Sequence, residues 1–305
     1  MSILVEKELY TPVPGTVVVD LSWVMYRSHY AMPHLSVTDL AGNVIPTAHV
    51  HETLLTIAQI SSIAPRVIIA VDSKCPFRFK IFPEYKGNRH KDPNEFNIKV
   101  HTNLILAIAS RLPNVTFMKK EDFEADDLIN HVIASGDEPT VFGSDNDLMQ
   151  VPKPFKTATS VIGNELGYID RAAYISKKYS ISGVLHLPVW YKTVRGDPSD
   201  NLPSGCPRFP SKLLTPLCQD LEDTMEWKDF EDYIDDPLNK GLSKLSSAKD
   251  VLFRNYQIVS PRPVLFEDGP LWLKKLKDSD ASQQLLGLQC FAVIQYFQVL
   301  GVSLV

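Results

Sequence analysis

The chain has 305 residues, 44% of them hydrophobic and 22% charged, with a formal net charge of −5; these values exclude a disordered or low-complexity protein and leave room for one or two globular domains. Its four cysteines (Cys75, Cys206, Cys218, Cys290) are far apart and form no CxxC pair, which excludes a disulfide framework and a zinc site and suits a reducing compartment. A negative balance taken alone disfavours a nucleic-acid partner, unless the acids responsible are gathered where cations neutralise them.

In chain order, Met1 to Tyr10 carries Glu6, Lys7 and Glu8 without an apolar run, so no signal peptide is expected and a cytoplasmic location is. Thr16 to Asp20 (TVVVD) reads as a buried parallel strand. Helical spacing follows over Trp23 to Ala31 and His49 to Ile63, and a second strand over Arg66 to Asp72 completes a βαβ beginning. Between Lys74 and Lys91 the cations Lys74, Arg78, Lys80, Lys86, Arg89 and Lys91 face only Glu84, a local phosphate-binding signature. This insert, about residues 74–100, is long for a strand-to-helix connection, and such insertions at the carboxyl edge of a sheet are usually functional. Lys86 and Arg89 are expected one helical turn apart with both cations on one face.

Phe96, Val100, Leu104, Ile105, Ile108 and Leu112 then mark a helix, and Asn114 to Met118 a strand. Glu124-Ala125-Asp126-Asp127 opens an apolar-periodic helix on which Glu124 and Asp127 share a face. A third strand over Pro139 to Asp145 leads into a turn carrying Asp145 and Asp147, followed by short β-like segments near Phe155 to Ile162 and Tyr168. We place a boundary near residue 180, giving an α/β core at 1–180 and a helical region at 181–305. In the second part, Asp197 and Asp200 (GDPSDN) project from one turn. Trp190, Tyr191 and Lys192 are either a nucleic-acid patch or core-packed aromatics, and the core reading is adopted. Glu231 to Asp236 reads as a solvated loop, and the eight histidines, lacking ligand spacing, as structural or surface groups. Leu285 to Val305 is apolar but interrupted by Gln289, Gln295 and Gln298, which predicts a buried terminal helix and no membrane span.

Asp20, Asp72 and Asp145 each close a strand, and a doubly wound sheet brings such strand ends to one crevice. With Glu124, Asp126, Asp127, Asp147, Asp197 and Asp200 they make nine acids that cannot all stay ionised together without cations. Oxygen-only clusters suit Mg²⁺ or Mn²⁺, and a pair of such ions serves in-line displacement at phosphorus.

Five blocks occur in order: VVVDLSWVMYRSHYA from Val17, FRFKIFPEYKGNR from Phe77, EADD at 124–127, SDNDLMQ at 144–150 and GDPSDNLP at 196–203. Together, over Val17 to at least Leu202, they resemble the structure-specific 5′ nucleases, a family of flap endonucleases, 5′-3′ exonucleases and the 5′ nuclease domain of bacterial DNA polymerase I. The likeness is greatest to phage members of the T-even ribonuclease H type. The resemblance implies an α/β fold with a PIN-like core, a mostly parallel central sheet flanked by helices, an arch-like basic insert and a helical C-terminal region. It implies a two-ion mechanism, with Asp20, Asp72, Glu124, Asp126, Asp127 and Asp145 holding the first ion directly or through water. Asp147, Asp197 and Asp200, with Asp145 shared, would hold the second. Lys86 and Arg89 would meet the scissile phosphate. Tyr26 would stack on a base or sit buried in its helix; Arg78 would contact a phosphate or anchor the insert; Arg27, Lys80 and Tyr85 complete the nucleic-acid set. Leu21 stands where the family usually has glycine. The family's hairpin glycines are also replaced in Gly205 to Lys212, which implies that the side chains of Arg208 and Lys212 grip the duplex.

The implied substrates are duplex or branched DNA with a 5′ flap and RNA–DNA hybrid, cut by a monomer in the cytoplasm (the host's, for a phage protein) during replication. A single-strand-binding protein, a polymerase or a clamp is an implied partner. A PIN-type endoribonuclease and a catalytically silent, structure-selective DNA-binding protein are the alternative readings.

Overall fold

A computed structural model describes residues 9–10, 15–89, 96–135, 138–145, 147–151, 153–264, 281–302 and 304. Glu6, Lys7, Glu8 and Lys91 lie outside this set. The centre of the molecule is a seven-stranded sheet in the order β1-β9-β8-β7-β2-β5-β6. Its strands are β1 (Leu9–Tyr10), β2 (Thr16–Asp20), β5 (Arg66–Ala70), β6 (Val115–Met118), β7 (Thr140–Phe142), β8 (Lys156–Ile162) and β9 (Glu165–Ile169); β3 (Ser36–Thr38) and β4 (Val44–Pro46) form a separate hairpin. Neighbours from β8 through β6 are parallel, while β8–β9 and β9–β1 are antiparallel. β8 and β9 fall on the β-like segments read near Phe155 to Ile162 and Tyr168, whereas β1 and the β3–β4 hairpin were not foreseen in the sequence.

β2 is the hinge of the topology. Its Val19 sits between Ile69 of β5 and Phe142 of β7, so successive crossovers leave β2 on opposite sides and the strand order reverses there. That reversal opens a crevice at the carboxyl ends of the strands. Val17 and Val19 face one core, with α1 (Leu21–Ala31), α2 (Ala48–Ile63) and α4 (Thr102–Ala109); Val18 faces a second, with α5 (Ala125–Ala134). Both faces are covered, which is why the strand reads as an unbroken β-branched run. Burying each such side chain stabilises the sheet by about 1.5–3 kcal/mol.

The basic insert carries one short helix, α3 (Pro76–Ile81), after which residues 83–88 form turns. The expected helical spacing of Lys86 and Arg89 is therefore corrected: Lys86 has φ +57°, a left-handed conformation that interrupts any helix. A third core unites α6 (Arg171–Tyr179), α7 (Val189–Arg195), α8 (Ser211–Asp220), α9 (Trp227–Asp235), α10 (Ser243–Ser246) and α11 (Lys249–Val259). Most of the acidic run read as a loop belongs to α9, where Glu231 and Asp235 both pair with Lys249. The apolar tail is two helices, α12 (Ala281–Gly287) and α13 (Phe291–Val299), whose Leu285, Val293 and Phe297 are buried in the core beside α2 and α4. No helix among the described residues is long and apolar enough to cross a membrane.

Candidate metal centre

The crevice floor is built by three carboxylates. Asp20 ends β2 and caps α1, its Oδ1 accepting the Trp23 N–H at 3.0 Å. Asp145 lies three residues past β7, and Asp126 sits in the first turn of α5. One oxygen from each lies within 4.8 Å of the other two. Burial, followed by repulsion from Asp72, pushes Asp20 up to about 7. Burial and Asp147 push Asp145 up to about 6. Burial and the neighbouring Asp145 and Asp20 hold Asp126 well above the carboxylate range. Such values are those of carboxylates crowded together in a buried cleft.

Asp72, two residues beyond β5, is held from three sides. It accepts hydrogen bonds from the Ser22 hydroxyl and, at 2.9 Å, the Ala125 N–H, with Lys99 Nζ 3.5 Å away. Burial would raise its pKa, but Lys99 and these donors outweigh burial and lower it.

Glu124, the N-cap of α5, is engaged differently. Its carboxylate takes Lys86 Nζ at 2.7 Å, Arg78 Nη1 at 3.1 Å and the Tyr85 hydroxyl at 3.1 Å. It ties the insert to the floor instead of joining the floor. Burial would lower the Lys86 pKa, but Glu124 and Asp200 reverse that and raise it.

Asp127 is not brought into the cluster. It is fully buried, gripped by Arg78 through two guanidinium nitrogens at 2.8 and 3.0 Å, and it accepts the Arg262 N–H at 2.9 Å. Arg78 is 4% exposed and also donates to the Ile258 carbonyl. Of the two roles weighed for it, these buried contacts are those of an anchor for the insert. Tyr85 is likewise buried, with its hydroxyl spent on Glu124.

The far wall carries Asp147, Asp197 and Asp200. Gly196 has φ +76° and would bring a Cβ within 2.4 Å of the Leu202 carbonyl oxygen, so only glycine fits the turn that presents Asp197 and Asp200. Arg89 Nη2 pairs with Asp200 at 2.6 Å. Lys192 of α7, 5% exposed, pairs with both Asp147 and Asp197. Burial opposes its charge, but the two carboxylates overcome it and raise its pKa far above the ordinary value. Sequence reading grouped Lys192 with the aromatics Trp190 and Tyr191 and missed it; a lysine one turn inside a short apolar helix and just ahead of an acidic turn is the signal that was there. Lys99 and Ser22 were missed as well.

Among the remaining candidates, Tyr26 is 40% exposed on α1 and stacks on Tyr30 at 6.4 Å, which removes the buried reading. Arg27 is engaged by the Thr159 carbonyl and lies over the Trp23 ring at 5.2 Å. Lys80 is exposed on α3, Arg208 is exposed in the loop leading into α8, and Lys212 is exposed in the first turn of α8. Arg208 has φ +59°, the conformation that a glycine would adopt without strain.

A sequence model of the 5′-3′ exonuclease N-terminal, resolvase-like domain matches residues 15–180. A 5′-3′ exonuclease of Buchnera aphidicola is 23% identical over 281 residues, covering 87% of this chain and 93% of that protein. DNA polymerase I of Bacillus subtilis is 26% identical over 264 residues, 84% of this chain, which spans only 28% of the polymerase. The bacteriophage T5 flap endonuclease, solved as a pseudo-enzyme-product complex with DNA and metal ions, superposes with a TM-score of 0.52 at 16% identity, covering 94% of this chain and 97% of that one. Human GEN1, solved with Holliday junction DNA, gives 0.54 at 11% identity over 94% and 71% of the two chains. At these identities the likeness to the solved structures is one of fold.

Proposed function

The chain belongs to the 5′-3′ exonuclease family, with the N-terminal resolvase-like domain at residues 15–180, and on that footing we propose a divalent-metal-dependent nuclease that hydrolyses phosphodiester bonds near 5′ ends. Its proposed substrates are 5′-flap and duplex DNA and RNA–DNA hybrid, and its proposed setting is primer removal in replication beside a polymerase, clamp or single-strand-binding protein. The observation that carries this reading is the approach of Asp20, Asp126 and Asp145 oxygens to within 4.8 Å at the strand ends. An all-oxygen set of crowded carboxylates fits a hard cation such as Mg²⁺, with Mn²⁺ able to replace it.

In this reading Asp20, Asp126 and Asp145 would hold the first ion, with Asp72 beside them. Asp147, Asp197 and Asp200 would hold the second. When bound, two such ions about 4 Å apart supply a water acidic enough to attack phosphorus near neutral pH and offset charge on the departing oxygen. Lys86, oriented by Glu124 and resting over the Tyr85 ring at 4.7 Å, meets a non-bridging oxygen of the scissile phosphate, and Arg89 supports it. Tyr26 offers an exposed ring for a terminal base. Arg208 and Lys212 hold the downstream duplex by charge.

The test is incubation of 5′-labelled flap DNA with Mg²⁺, with EDTA, and with the Asp145→Asn variant. Mg²⁺-dependent release of 5′ products by the unaltered protein, and flap binding without cleavage by the variant, are expected. Binding without cleavage by the unaltered protein would support a silent DNA-binding protein instead. Cleavage confined to single-stranded RNA would support a PIN-type endoribonuclease.

A further inference from the structure

The carboxylates of the cleft fall into two electrostatic groups. Among the described residues, no basic side chain forms a salt bridge with Asp20, Asp126 or Asp145, whereas Asp147 and Asp197 share the ammonium of Lys192, with Nζ 2.7 Å from Asp197 Oδ2. Lys192 is held there by its own helix. Its neighbours on α7, Trp190, Thr193 and Val194, are fully buried, and Asn255 of α11 donates to the Thr193 carbonyl at 3.2 Å. A lysine with so little solvent is stable only while its carboxylates are in place, and they in turn are neutralised by it.

We propose that Lys192 is the resident counter-ion of the second metal position: it occupies Asp147 and Asp197 in the metal-free protein and must release at least one of them before a second ion binds. The inference rests on the metal-dependent reading above. It gives the two positions an order. The first ion enters among Asp20, Asp126 and Asp145, which no described basic side chain pairs with directly; Lys99 stands 3.5 Å from Asp72 at the edge of that position. The second must displace Lys192, so its affinity in the absence of nucleic acid is low, and the negative charge of a bound phosphate group favours its entry. Lys192 thus acts as a positioning residue that keeps the second position closed until substrate is present.

The test is a Mn²⁺ titration of DNA-free protein, followed by the electron paramagnetic resonance signal of free Mn²⁺. The unaltered protein should show one tight phase and a second weaker by at least about tenfold, the scale of a lost charge–charge contact in a partly buried site. Lys192→Met keeps the chain length and removes the charge, so the second phase should tighten by about tenfold while the first stays in place. Lys192→Arg should keep the original isotherm. Because the methionine variant leaves two carboxylates unpaired and risks misfolding, a second measurement uses the unaltered protein: acylation of lysines, mapped by peptide mass spectrometry, should modify Lys192 more readily as the second phase fills. A second phase that is unchanged or weaker in Lys192→Met, or Lys192 equally protected at every Mn²⁺ concentration, would overturn the proposal and leave the metal-dependent reading intact. Absence of any tight phase in both proteins would remove that reading and the proposal together.

Discussion

Neighbouring carboxylates on α5 part company because successive helical residues point about 100° apart. Asp126 turns to the cleft and Asp127 to the interior, where Arg78 and the Arg262 N–H meet it. Arg78→Met should therefore lower stability by about 3–5 kcal/mol by stranding a buried carboxylate. Urea melts should show that loss, and Arg78→Met with Asp127→Leu should recover most of it; a loss under about 1 kcal/mol would return Arg78 to the phosphate-contacting role first weighed. Lys86 belongs to the opposite case, a cation poised at the cleft. Lys86→Ala should reduce the single-turnover cleavage rate by about 10²-fold at saturating enzyme. A weaker complex with an unchanged saturated rate would make Lys86 a binding residue. The acids themselves were legible because strand ends and short motifs fix where they point. Which of two adjacent acids reaches the cleft was not, since that depends on what packs on the far side of the helix, and Arg78 arrives there from a segment 49 residues away in sequence. Lys192 was hidden for the same reason, its partners lying 45 and five positions away.

At the level of elements, β2, β5, β6 and β7 and their helices were readable from β-branched runs and apolar spacing. The β3–β4 hairpin was not, because its two strands are three residues each and pair only with each other, nor was β1, two residues held by pairing with the distant β9. The loop before α8 offers a separable test. Arg208 spends backbone energy on its left-handed conformation while offering a side-chain charge. Arg208→Gly should raise stability by about 0.5–1 kcal/mol, and in the same variant the salt dependence of duplex binding should fall by about one unit of slope. Fluorescence anisotropy across a salt series checks the second effect; an unchanged slope would mean that Arg208 touches no phosphate. A different coupling joins α2 to the 3₁₀ turn at Ile98–His101, where His49 Nε2 lies 2.7 Å from His101 Nδ1. Burial and then the flanking His101 and His29 hold His49 down at about 3. Its pKa in the unfolded chain is near 6.5, so the unfolded state takes up the proton first and stability falls as pH drops from about 6.5 toward 3. Between pH 7 and pH 5 the unaltered protein should lose about 5 °C more in Tm than His49→Phe. Equal losses would show that His49 titrates without hindrance in the folded state.

Across the whole molecule, the cores cut across the proposed division near residue 180. Leu285, Val293 and Phe297 of the tail share a core with Val17 and Val19 of β2 and with Leu54 and Ile57 of α2. A chain cut after residue 264 should accordingly bind a hydrophobic dye and lose its cooperative thermal transition, whereas two independent units would leave the first one folded. The same contact governs timing during synthesis. The strands that carry the carboxylates leave the ribosome first, but the apolar face behind them stays open until residues 281–304 follow. Completion of the cleft then waits for the helical half, and over that interval the open apolar face of the nascent chain invites a chaperone.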